Sequence, residues 1–322
     1  MVRANAARHS VRGSTRPRVA AFFAVTVLTL ALGIGATTAI FSIVDSVLLR
    51  VPFADADRLV RFNAFDTDHQ TPLEVSYVEI GEWRRQNRTF DDIAGIGSTS
   101  WSHILEGDQP VSTRSFVVSG NFFEVIGSRA LLGRTLIPSD DVAAASRAVV
   151  LSHTLWRAQF SSDPVIVGRA IRLSGSTFTV MGVMPPAFRY PAGADLWTPI
   201  APELADIGRR QRQDLLGMRE WGLLHGIGRL RRDVPLAAAQ TELSGLIRRD
   251  TLKNGRVQVT PLVDEYFGRV RWALLAALVS VFLLLAIACS NVAGLLLARV
   301  ARRRQEWAVR RAIGGTMRTS YG

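Results

Sequence analysis

Two stretches of the chain break the mixture of apolar and polar positions that governs the rest. Val19 to Val44 runs 26 residues, and Trp272 to Ala298 runs 27, without one charged side chain. About 20 residues cross the hydrocarbon of a bilayer at about 1.5 Å rise each, so either run is long enough to span it with some tilt. A secretory signal sequence would also put an apolar run near the N-terminus, with Ala36 to Ala39 as small residues near a cleavage point. The run continues past those residues, however, and a leader would leave the second run unexplained. Residues 46–271 are too many for a connector and predict a folded domain between two membrane helices.

Inside that domain the patterning alternates between helical and extended. Ser76-Tyr77-Val78-Glu79 is a capping box, and Tyr77, Ile80 and Trp83 follow at helical spacing to about Asn87. Asn121-Phe122-Phe123-Glu124 repeats the capping pattern before a short helix ending near Gly127, and Ser152 caps a third helix carrying Leu155, Trp156 and Phe160. Ala148 to Leu151 reads as a short buried strand. Residues 169–173 and 177–183 read as a hairpin turning at Ser174-Gly175-Ser176. Residues 223–229 and 256–262 predict strands on either side of a helix over 235–249, whose stripe is Leu236, Ala239, Leu243 and Leu246. The expected fold is a membrane protein with two transmembrane α-helices flanking an α+β domain: a βαβ part next to the membrane, with a β-rich part inserted in it.

Charge sharpens the topology. The formal net charge is +12, which would ordinarily raise nucleic acid as a partner. Residues 1–18 hold five arginines and no acid, and residues 299–322 hold seven arginines and one acid, so the two ends carry +11 and everything between them only +1. Positive charge marks the cytoplasmic flank of a span, and both basic tails lie outside the spans. Both termini are therefore expected in the cytoplasm and residues 46–271 on the far side of the inner membrane. The predicted order is a 1–18 tail, helix 19–45, domain 46–271, helix 272–298 and a 299–322 cytoplasmic segment. Membrane lipids are expected partners and nucleic acid is not.

Candidate chemistry is sparse. Cys289 is the single cysteine, and His9, His69, His103, His153 and His225 do not pair at zinc-ligand spacing. The only lysine, Lys253, lies between Leu252 and Asn254, so the chain has no P-loop; no cofactor and no enzymatic activity are expected. Asp91-Asp92 and Asp140-Asp141 are expected to be solvated turn residues that point apart. Gly33-Ile34-Gly35 and Asn291 lie inside the apolar runs, where small and amide side chains serve helix packing. The distinctive stretch follows the second run: Arg303-Arg304-Gln305-Glu306-Trp307-Ala308-Val309-Arg310-Arg311-Ala312-Ile313-Gly314. As a basic amphipathic helix it would lie on anionic lipid, which gives no role to Glu306.

That segment resembles the cytoplasmic coupling segment of MacB/FtsX-type ABC transporter permeases. Ala31 to Arg50 (ALGIGATTAIFSIVDSVLLR), Trp83 to Phe90 (WRRQNRTF) and Val150 to Pro186 are similar to the MacB-like periplasmic core domain, and Ile287 to Arg299 is similar to the family's second span. The resemblance is strongest to a large, often duplicated permease subgroup first noted in acidobacteria. It implies a permease subunit that couples ATP hydrolysis by a separate ATPase to movement of its periplasmic domain, in efflux or export. It also implies a dimer or second permease half, and docking on the ATPase through Arg303, Glu306, Val309 and Arg310. The βαβ part would be the porter-like subdomain. Family units carry two further spans after the coupling segment, so a chain ending at Gly322 is expected to be a truncated or split unit. The alternative is a membrane-anchored periplasmic binding or adaptor protein without ATPase coupling.

Overall fold

The computed structural model describes residues 53–247 (apart from Gln70, Thr99 and Asp108), 255–264, 275–287, 289–290 and 292–294, with scattered positions at 27–42 and 297–304. The chain forms two compact units: one from residues 1–50 with 269–322, the other from Val51 to Gly268. In the first unit, Leu275–Gly294 forms a helix of 20 residues with a mean hydropathy of 2.4. It is the one helix among the described residues that is long and apolar enough to cross a membrane. The described positions between Val27 and Ser42 are also helical.

The second unit is built on a four-stranded antiparallel sheet. Strand β1 (Leu59–Asp66) leads through β2 (Thr71–Leu73) and helix α1 (Tyr77–Gln86) to β3 (Phe90–Gly97). Much later, β11 (Leu224–Leu230), α5 (Leu236–Leu246) and β12 (Gly255–Pro261) repeat the strand–helix–strand order. The sheet runs β3-β11-β1-β12, with β2 also paired to β1. Two interleaved βαβ units in this order make the split βαβ arrangement. The capping box starts α1 as its sequence requires: Ser76 Oγ accepts from Glu79 N at 3.3 Å, and Glu79 Oε2 accepts from Ser76 N at 2.9 Å. Both helices cover one face of the sheet, over Phe62, Trp83, Phe90, Leu243 and Val257. Gly226 and Gly228 make room there; a Cβ on Gly226 would fall within the ring of Phe62, and one on Gly228 against Phe90.

Everything between β3 and β11 is inserted. It contains β4 (Trp101–Leu105), β5 (Val111–Val118), α2 (Phe122–Ile126), β6 (Leu132–Gly133), β7 (Ala148–Leu151), α3 (His153–Phe160), β8 (Ala170–Leu173), β9 (Ser176–Val183), β10 (Leu196–Pro199) and α4 (Ile200–Gln211). Strands β10-β7-β9-β8-β4-β5 pair in sequence, and β10 returns to pair with β5 in parallel, closing a six-stranded ring. The β8–β9 hairpin turns on Ser174 and Gly175, both at positive φ. Helix α3 is capped by Ser152, whose Oγ accepts from Leu155 N at 3.1 Å, and packs Leu155 and Trp156 against Leu151, Leu173 and Phe178. Helix α2 carries Phe122, Phe123 and Ile126 onto the other face of the sheet, against Leu59, Ile227 and Trp197.

Three sequence expectations are corrected. Asp91-Asp92 lie in β3 and not in a turn, because Arg84 and Asn121 neutralise and hydrogen-bond Asp92 there. Asn121 makes no side-chain cap on α2; its amide is spent on Asp92 and on the carbonyl of Ile93. Asp140 and Asp141 are buried, not solvated, although they do point into separate networks.

Candidate functional site

The polar interior of the second unit concentrates where the inserted ring meets the sheet. Helix α4 begins after Pro199 with no side-chain cap of its own. The cap comes from 60 residues earlier: Asp141 Oδ1 accepts from Ala201 N at 2.7 Å, placing a carboxylate at the positive end of the helix. Asp141 Oδ2 accepts from Gly120 N at 3.1 Å, in the turn between β5 and α2. Glycine is needed at 120, where a Cβ would collide with the carbonyl of Ile137. From α1, Tyr77 Oη donates to the Asp141 carbonyl at 3.3 Å. One residue therefore ties α1, α2's approach and α4 together. Burial pushes its carboxyl up to about 6 against the pull of the backbone N–H groups. Burial likewise raises the Tyr77 phenol above its usual range.

Alongside lies a second tie. Arg84 of α1 forms a two-pronged pair with Asp92 of β3, Nε to Oδ1 at 2.7 Å and Nη2 to Oδ2 at 2.9 Å. Asn121 Nδ2 donates to Asp92 Oδ2 at 2.7 Å. The cleft between these groups, about 530 Å³, is lined by Tyr77, Gly81, Arg84, Arg85, Asn121 and Asp141 among others. Asp140 turns away to Arg134, whose Nη1 lies 2.5 Å and Nη2 2.9 Å from its oxygens. That pairing and the Ile137 N–H hold the Asp140 carboxyl below its usual value despite burial.

One turn into α4, Glu203 is only 6% exposed, and its Oε1 has no hydrogen-bond partner. Burial pushes this carboxyl up to about 7, with Arg147 pulling the other way and Asp206 adding to the rise. Arg147 Nη2 pairs with Asp206 at 2.8 Å, and its guanidinium carbon stands 5.5 Å from the centre of the Phe178 ring. Arg209 and Arg210 pair with the same aspartate. On β4, His103 Nδ1 lies 2.8 Å from Ser115 Oγ, and burial with Arg147 nearby lowers its basicity. Burial, with help from Arg61, also pushes His225 of β11 down to about 4, and its Nδ1 has no partner.

These groups tie elements of the ring and the sheet to one another. No cluster of three metal-ligating side chains occurs among the described residues, and each buried carboxylate serves its own network and not a shared proton. The arrangement can hold a ring against a sheet, and can loosen when its carboxylates change charge. Sequence reasoning read Asp141 as a solvated turn residue and missed Glu203 and Arg147. The sole signal was the acidic pair 140–141 ahead of a helix that lacks its own cap. Of the residues singled out in the sequence, Gly33 is buried, and a Cβ on it would lie 3.0 Å from Leu285 Cδ1. Gly35 faces open space. Asn291, Arg303, Glu306, Val309 and Arg310 lie outside the described residues.

The sequence matches the MacB-like periplasmic core domain over residues 23–246. The periplasmic region of MacB from Actinobacillus actinomycetemcomitans superposes with a TM-score of 0.51 at 16% identity, over 72% of this chain and 98% of that one. The extracellular domain of the ABC-type transporter YknZ from Gram-positive bacteria is similar at 12% identity and a TM-score of 0.46, over 62% of this chain and 99% of that one. No match is found among curated proteins.

Proposed function

The chain belongs to the MacB-like periplasmic core domain family, and from that membership we propose that it is a permease subunit of an ABC mechanotransmission complex in the inner membrane. A separate ATPase supplies the nucleotide chemistry. Its closing and opening moves the apolar helices, and the split βαβ sheet passes that motion to the inserted ring. Export or efflux is the process this serves, with the working unit a dimer or a pair of permease halves. Both termini face the cytoplasm, where Arg303, Glu306, Val309 and Arg310 dock on the ATPase.

One observation carries this reading. The family match starts at residue 23, inside the first apolar run, and continues through the whole inserted ring to residue 246. A match that begins inside the run supports reading the run as a retained helix of the permease. The ring–sheet ties favour the same reading, because Asp141 and Asp92 give a displacement of α1 a direct path into α4 and α2.

The test is co-purification of the full chain with its ATPase subunit from membranes. Association is expected, and Glu306→Lys and Arg310→Glu are each expected to weaken it at least tenfold without lowering the amount of chain in the membrane. An intact chain that recruits no ATPase overturns the proposal.

A further inference from the structure

Where β10 runs into α4, acids and bases are unevenly matched. Asp206 takes three guanidiniums: Arg147 Nη2 at 2.8 Å, Arg209 Nη2 at 3.2 Å, and Arg210. Glu203, one turn nearer the start of the same helix, is buried and has no ion pair or hydrogen bond among the described residues. Residues three apart on a helix share a face, with Cβ atoms about 5–6 Å from each other. Of the three arginines, Arg147 is the covered one: 20% of its side chain is exposed, against 66% and 69% for Arg209 and Arg210. It lies just before β7, with its guanidinium carbon 5.5 Å from the Phe178 ring centre. His103 stands edge-on to the same ring at 6.2 Å, its Nδ1 occupied by Ser115 Oγ.

A buried glutamate without a partner is tolerable as a neutral acid and costly as an anion. Of the charges acting on Glu203, that of Arg147 is the largest, followed by Asp206 and Arg210 of its own helix. Strand β10 contributes no charged residue, and the one on β5, Arg114, lies against Gly193. An ionised Glu203 therefore has one covered cation to draw on. Drawing it away leaves Asp206 with Arg209 and Arg210, so neither carboxylate is stripped of its counter-charge.

We propose that Arg147 is a proton-operated latch: it holds Asp206 while Glu203 is a neutral acid, and moves about one helical turn, roughly 5 Å, to Glu203 when that group gives its proton to water. Burial pushes the Glu203 carboxyl up to about 7, which puts the change in the neutral range. With Glu203 protonated, β7 is fastened to the second turn of α4. With Glu203 ionised, it is fastened to the first turn, beside Ala201 and its Asp141 cap. Acidity thus selects where the ring grips α4. The latch lies wholly within the Val51–Gly268 unit and is independent of any ATPase contact.

The test is a pH titration of the full chain in detergent by carboxyl-carbon NMR, with isotope in the glutamate side chains and the Glu203 signal assigned by its loss in Glu203→Gln. Arg147→Gln should raise the proton affinity of Glu203 by about tenfold or more. Asp206→Asn releases Arg147 to Glu203 and should lower that affinity by about tenfold or more. In the Arg147→Gln background the same substitution removes only a like charge and should lower it by no more than about threefold. Unfolding midpoints show which variants are folded. Arg147→Lys keeps the charge without the forked donors, stands in should Arg147→Gln not fold, and should give a smaller rise. A Glu203 midpoint that neither Arg147 variant moves overturns the proposal. So does an equal effect of Asp206→Asn in both backgrounds, since Asp206 would then act on Glu203 by repulsion alone.

Discussion

Between β11 and α1, the sheet is filled by Phe62, Trp83 and Phe90 lying over glycines 226 and 228, with ring centres 5.7 Å apart from Phe62 to each neighbour. The inserted ring has an apolar interior as well, yet all three buried charged residues among those described, Asp140, Asp141 and Glu203, belong to the inserted segment. One region is held by shape, which is indifferent to pH and salt; the other is held partly by desolvated carboxylates, which are not. In the role proposed above, the stiff sheet transmits and the charged joint sets how firmly the ring follows.

The hardest blow to that contrast is to spoil shape on the sheet. Gly226→Val puts branched carbons into the Phe62 ring and should cost about 3 kcal/mol, equally at pH 5 and pH 8, as read by urea unfolding. A pH-dependent loss would show that the sheet side is not governed by packing alone. Next, Asp141→Ala removes the acceptor from the buried N–H groups of Gly120 and Ala201 and should cost about 2 kcal/mol. Its loss should appear in hydrogen exchange at the start of α4 and leave the β1–β12 ladder unchanged.

Third, the joint should respond to protons. Asp141 rises from 3.8 to about 6, and Glu203 from 4.5 to about 7, in the folded chain. A raised folded value means the stabilisation is complete below the unfolded value and is lost as pH climbs through the folded one. The stability due to these two groups therefore falls between about pH 4 and pH 7. His225, depressed to about 4, works in the opposite direction over an overlapping window, so the reading must be a difference between variants. Glu203→Gln should match the natural chain near pH 4 and exceed it by on the order of 1 to 2 kcal/mol at pH 8. Equal stability at both pH values would show that Glu203 carries no buried charge. The smallest effect sits on the sheet side: Ser76→Ala should cost about 1 kcal/mol through the lost cap of α1, with no pH dependence above pH 5.

Single elements of both the sheet and the ring were legible where their signals are local. The Ser76–Glu79 box, the Ser152 cap, the Ser174-Gly175 turn and the Leu236-to-Leu246 stripe each lie within a dozen residues of one another, and the structure places them within a few residues of expectation. The ring and its joint are long-range objects. Strand β3 opens on Phe90-Asp91-Asp92, a sequence that reads as a turn until Arg84 and Asn121 arrive to hold Asp92. Helix α4 escaped notice because it starts at a proline, carries Gly208 and takes its cap from Asp141. Strand β5, with Ser112, Thr113, Arg114 and Ser115 at its centre, finds its buried setting only when β10 closes against it. The family resemblance did reach this region through residues 150–186, although resemblance alone could not say which side chains form the joint.

The parallel pairing of β5 with β10 has a consequence for the order in which the domain is assembled. Every ladder of the six-stranded ring lies between residues 101 and 199, so the ring can close as soon as that much chain has been delivered. Strand β1 emerges earlier but finds its neighbours β11 and β12 only at residues 226–229 and 255–261. It is therefore the first strand delivered and among the last completed: until β11 and β12 arrive, only Ala64 to Asp66 is paired, to β2, and the edge that takes β12 stays open. A pause in chain delivery between residues 199 and 255 would leave a finished ring beside a strand with one open edge, which is the state from which misassembly between neighbouring chains would start.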